Sequence, residues 1–113
     1  MTKDDGMWIV IDSLIDPATG TVFSWITSTN KMNLILWHSG KIQFLPGDEI
    51  TTISEGISRA SEHNKYTIYH IIPFKPSLWS ILISNLKCPK NNKIFLSCPD
   101  TCLIEICCYK SDN

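Results

Sequence analysis

Five cysteines and three histidines carry the richest chemistry in this sequence. Cys88, Cys98, Cys102, Cys107 and Cys108 crowd its last quarter, spaced Cys-x9-Cys-x3-Cys-x4-Cys-Cys. Four thiolates suit tetrahedral zinc, but zinc sites usually carry a Cys-x2-Cys knuckle, and none occurs here. Cys98 and Cys102 flank a predicted hairpin turn and are the pair best placed for redox chemistry. Cys107 and Cys108 are adjacent and point to opposite faces of one strand. The simpler reading is ordinary buried thiols in a terminal hairpin. A small thiol or redox enzyme and a zinc-binding module stay open as alternatives.

His38, His63 and His70 form no His-x3-His metal motif. A pairing of His70 with a cysteine would have to be assembled in space, as nucleophile–base pairs are. His70 instead falls mid-strand among Ile and Tyr, where a hydrogen-bonded structural role is expected. The five glycines are isolated, so there is no phosphate loop. The reading is of a protein without catalysis, metal or cofactor.

The acids suggest a different use. Residues 1–62 hold five Asp and three Glu against three Lys and one Arg, a net −4; residues 63–113 hold six Lys against two Asp and one Glu, a net +3. Asp48, Glu49, Glu55 and Glu62 surround one predicted helix. Such acids serve as solvated caps and helix faces, or as a surface that pairs with Lys and Arg of a partner and speeds encounter. Trp8, Trp25, Trp37 and Trp79 are individually expected in the core. Trp25 and Trp37 fall on neighbouring predicted strands and would form an aromatic patch if they shared an open sheet face. Tryptophan is a frequent interface anchor. Asp48, Glu49, Glu55, Glu62 and Trp37 are therefore the expected partner-binding residues.

The elements that must position these residues follow from pattern. A chain of 113 residues fits one domain, read as 1–113. It is 43% apolar and 19% charged, a globular composition. Strands are predicted over 7–12, 21–27, 32–38 and 41–45, joined by turns at Asp16-Pro17-Ala18-Thr19-Gly20 and Ser39-Gly40. Connections this short describe an antiparallel meander. Ile50, Ile53, Ile57 and Ala60 fall at helical spacing, with Thr51 or Thr52 as cap and Glu55 in a capping box. A strand follows over 65–72, then a helix capped by Ser77 and running to about Leu86, with Leu78, Ile81, Leu82 and Leu86 as its stripe. The cysteine-rich end reads as strands over 93–98 and 102–110. The fold class is α+β: an antiparallel sheet of about five to seven strands with two helices packed on one face.

The N-terminal six residues are acidic, no apolar stretch is long enough to span a bilayer, and the odd, clustered cysteines fit a reducing compartment. A cytoplasmic protein is expected. Net charge is −1, so a broad nucleic-acid field is missing. Lys75, Lys87, Lys90 and Lys93, with only Phe95 close behind, make a thin platform for nucleic acid.

In size, compartment, charge layout and Ile/Asn/Lys-rich composition, the chain resembles bacterial toxin-immunity proteins of contact-dependent growth inhibition systems. That resemblance implies an inhibitor that covers the basic active site of a toxin. It rests on no motif and assigns no residue, and a net charge of −1 departs from a strongly acidic inhibitor.

Overall fold

The computed structural model describes residues 7–53, 56–59, 66–92 and 102–104. Six strands run β1 Met7–Asp16, β2 Thr21–Thr27, β3 Asn33–Ser39, β4 Glu49–Ile53, β5 Gly56–Arg59 and β6 Ile68–Pro73, and one helix follows, α1 Pro76–Asn85. They form one sheet in the order β5-β4-β1-β2-β3-β6, with every neighbouring pair antiparallel. The first three strands are the predicted meander. Their alternation places Val22, Ser24 and Ile26 on one face and Phe23 and Trp25 on the other.

The sheet curls into a half-barrel. Ile57 of β5 and Tyr66, just ahead of β6, exchange both backbone hydrogen bonds (2.9 and 2.7 Å), so the two edges of the sheet meet at that point. The concave side is filled by Val10, Ile26, Leu36, Ile42, Phe44, Ile50 and Ile57, all buried. Ile42 and Phe44 come from the segment predicted as a fourth strand. Among the described residues 41–45 form no strand. The alternation there is real, but both apolar side chains turn into the barrel as a plug, because β1 already borders β2 and β4.

The predicted first helix is overturned more completely. Leu45 to Asp48 is a turn closed by Asp48 N–H to the Leu45 carbonyl (3.0 Å), with Pro46 and a left-handed Gly47 (φ 94°) at its centre. Pro then Gly is the type II pairing of turn residues. The chain leaves this turn as β4, and β4 pairs with β5. Gly56 at φ 149° has no place in a helix, and a Cβ there would strike the Tyr66 carbonyl. Ile-Thr-Thr-Ile is also β-branched throughout, which favours a pleated surface over a helix. The isoleucine spacing fits both structures, and pairing with Met7–Ile9 decided between them. The expectation of two helices is thus reduced to one among the described residues. Residues 60–65, 93–101 and 105–110, which carry the rest of that helix and most of the C-terminal hairpin, lie outside them, and residues 102–104 form no strand.

Helix α1 begins two residues earlier than predicted. Ser77 is not the cap. Lys75 is, without a side-chain bond, and Pro76 takes the first helical position, where its missing N–H costs nothing. Leu78, Trp79, Leu82, Ile83 and Leu86 pack on the convex side of the sheet against Leu14, Phe23, Trp25, Ile35 and Ile72. Ile81, expected in the stripe, is 55% exposed. No helix among the described residues is long and apolar enough to cross a membrane.

Past Ile9, β1 has no strand on its β4 side. The loop after α1 takes that place. The Asn91 side-chain amide accepts from Ile15 N–H (2.8 Å) and donates to the Ile15 carbonyl (2.7 Å) and to the Leu86 carbonyl (3.2 Å). Lys90 Nζ donates to the Ser13 carbonyl (2.6 Å). Asn91 therefore imitates one residue of a neighbouring strand. Asn91→Ala strips both partners from the buried Ile15 backbone and is expected to lower unfolding free energy by about 2–3 kcal/mol. Urea unfolding of the two proteins checks this.

Candidate protein-binding face

The convex side of the sheet carries a row of rings set by register. Phe23, Trp37 and His70 stand opposite one another on β2, β3 and β6. Trp37 is stacked between them, 5.9 Å from Phe23 and 5.4 Å from His70, with interplanar angles of 9° and 3°. Tyr69 leans on Trp37 at 5.3 Å, and the Trp37 indole N–H donates to Thr21 Oγ1 (2.6 Å). Trp25, one pair along, stacks on Phe74 (4.0 Å) and meets Trp79 edge-on, so α1 covers it. Trp25 and Trp37 share a face, but the patch divides: Trp25 belongs to the helix–sheet core, while Trp37 sits half-buried in a row ending at exposed Tyr69 and His70. His70 is thus an outer-row ring.

Asp48 and Glu49 lie elsewhere on the molecule. Glu49 opens β4, is exposed, and stands opposite Ile9. Asp48 is tied into the preceding turn: its Oδ2 accepts from Leu45 N–H (2.9 Å) and its carbonyl accepts from Val10 N–H (2.9 Å). Trp37 is three strands across from Glu49 and displaced along the sheet, since Trp37 aligns through Phe23 with Leu14 and Glu49 with Ile9. The structure does not bring these expected partner residues into one cluster. Glu55 and Glu62 lie outside the described residues.

The inner face holds one polar group that sequence reasoning passed over. His38 is fully buried against Phe44, and burial pushes its pKa down to about 4. The Ser39 carbonyl can only accept, so His38 Nδ1 carries the proton and donates to it (2.9 Å). Nε2 then accepts from Ser24 Oγ (2.7 Å), and Ser13 Oγ donates to Ser24 Oγ (3.0 Å). A serine and histidine in contact invite comparison with a nucleophile and base. Here all three side chains are sealed inside the barrel and no carboxylate orients the ring. The chain of bonds satisfies buried polar atoms, as buried polar groups require. Its signal was present in the alternation: Ser24 lies between Val22 and Ile26 on the inward face.

The thiol readings find no support among the described residues. Cys88 is buried and Cys102 half-buried in a cluster with Ile15, Val22 and Ile104, on the opposite face of the sheet from His70. Cys98, Cys107 and Cys108 lie outside the described residues. No group of three or more potential metal ligands occurs among the described residues. Lys90, one of the basic residues considered for nucleic acid, spends its ammonium on the Ser13 carbonyl.

A half-barrel with one covering helix, a sealed polar core and an outward aromatic row defines the fold class of the described residues. Residues 7–80 match the model of the IraM/PmrD family, and the chain belongs to that family. The anti-adapter protein IraM of Escherichia coli (strain K12) is 41% identical over 104 residues, spanning 90% of this chain and 95% of that protein. IraM of Escherichia coli (strain SE11) is 40% identical and that of Shigella dysenteriae serotype 1 (strain Sd197) 38% identical over the same spans. These relatives are anti-adapters, inhibitors that act by binding protein, and the inhibitor class read from the sequence agrees with them. The resemblance to toxin-immunity proteins of contact-dependent growth inhibition is overturned by the same finding. It rested on size and charge layout, which many small inhibitors share.

Proposed function

We propose that this chain is an anti-adapter: it binds an adaptor protein in the cytoplasm and, by occupying it, keeps it from its other partners. The observation that carries this reading is the 41% identity to Escherichia coli IraM across 95% of that protein. The adaptor surface it meets is basic. Glu49 and Asp48 provide the acidic end of the binding face and Trp37 its rigid aromatic end, and Glu55 and Glu62 add further acid to the same chain segment. Rigid aromatics give contact area at little entropic cost.

The test is direct binding by titration calorimetry between this protein and the purified adaptor that Escherichia coli IraM opposes. A 1:1 complex with a micromolar or tighter Kd, weakening as salt is raised, is expected. Absence of binding at low salt overturns the proposal.

A further inference from the structure

The convex face is only partly covered. Helix α1 has 10 residues and is about 15 Å long. Six strands at their usual spacing are about 24 Å across. The helix lies over the outward side chains of β2, β3, β6 and the far end of β1, and stops there. On the near half of β1, Met7, Ile9 and Ile11 are left 41%, 39% and 38% exposed. Single exposed apolar residues are ordinary, whereas a contiguous row on a sheet face marks a contact surface.

The row is made by a local irregularity. The pairing of β1 with β2 shifts between Val10 and Asp12, so Ile11 is an extra residue in a β-bulge. Without it Asp12 would face the barrel interior and Ser13 would lose its place opposite Ser24. With it, both Ile11 and Asp12 look outward. Bulges re-aim side chains in this way beside functional sites. The surroundings are mainly acidic. Glu49 stands opposite Ile9, Asp48 precedes it, Asp12 closes the other end, and neither β1 nor β4 contains a Lys or Arg. The neighbouring cations are Lys90, held on the Ser13 carbonyl, and Arg59, in register with Ile50 on β5.

We propose that Met7, Ile9 and Ile11, rimmed by Glu49 and Asp12, form the site where the adaptor docks, and that the docking element carries apolar side chains flanked by Lys or Arg. The proposal rests on the anti-adapter reading and gives it an address. Apolar side chains bury against the β1 row. Basic side chains lay their stems along it and reach Glu49 and Asp12 with their charged heads.

The same purified adaptor is titrated with Ile9→Asp, Glu49→Lys and, as a control on the outer side of α1, Ile81→Asp. Circular dichroism and thermal melts confirm that each variant is folded. Ile9→Asp is expected to weaken binding about 30-fold or more and Glu49→Lys about 10-fold with a shallower salt dependence, while Ile81→Asp stays within about twofold. If Ile9→Asp also lowers the melting temperature, exposed Glu49→Lys decides alone. Wild-type binding with both β1-face variants within about threefold of it overturns the docking site and leaves the anti-adapter reading standing. No binding by the wild type overturns both.

Discussion

Replacing Phe44 with alanine is expected to lower the unfolding free energy by about 3–5 kcal/mol. Phe44 is fully buried and plugs the half-barrel among Val10, Ile26, Leu36, Ile42, Ile50 and Ile57. Its loss removes the transfer free energy of the ring and leaves a cavity walled by strands that hydrogen bonds hold in place. The neighbours cannot collapse inward without breaking the ladders. Domains of this size are stable by only about 5–15 kcal/mol in total, so much of the margin goes. Phe44→Leu, which keeps most of the volume, should cost far less. Denaturant unfolding of the three proteins measures the effect, and a loss below about 1 kcal/mol for Phe44→Ala would show that the plug is not part of the core.

The second large effect is a dependence of stability on pH through His38. Its folded pKa, about 4, lies below the ordinary 6.5, chiefly because burial penalises the charged ring; the Ser39 carbonyl acts the other way. Between these values the unfolded chain binds a proton that the folded chain refuses. Stability from this group is therefore complete above pH 6.5 and drains away as pH falls toward 4. The full loss is about 3 kcal/mol, with about 2 kcal/mol gone by pH 5. Urea midpoints at pH 7 and pH 5 for the wild type and for His38→Gln isolate the effect, because glutamine cannot titrate. The wild type should lose more stability than the variant over this interval. Equal losses would mean that the buried imidazole is not neutral at pH 7.

Both effects come from residues whose setting is not legible in local pattern. The sequence predicts a strand over 41–45, and Ile42 and Phe44 are buried in a segment that forms none. Local pattern does not tell a strand from a plug, because that depends on whether a neighbouring edge is free. His38 reads in sequence as a histidine without a metal motif, and Ser24, which bonds it, and Ser13, which bonds Ser24, lie 14 and 25 residues earlier in the chain. The candidate site shows the same division. Glu49 was recognised as an acid of the partner-facing half. Met7, Ile9 and Ile11 were read only as a strand, since their exposure depends on a bulge and on where a ten-residue helix ends.

The sequence by itself determined the β1–β2–β3 meander, the turns that join it and the second predicted helix. These rest on alternation, Pro and Gly positions and short spacing, all local in the chain. Only the tertiary structure decided that 49–53 and 56–59 are paired strands rather than a helix. Ile50 and Ile57 share a face either along a helix or across an antiparallel pair, and pairing of Glu49, Ile50 and Thr51 with Ile9, Trp8 and Met7 broke the tie. Tertiary structure also set the ring row, the Asn91 graft onto β1 and the uncovered face, because each joins residues distant in sequence whose meeting no local pattern encodes.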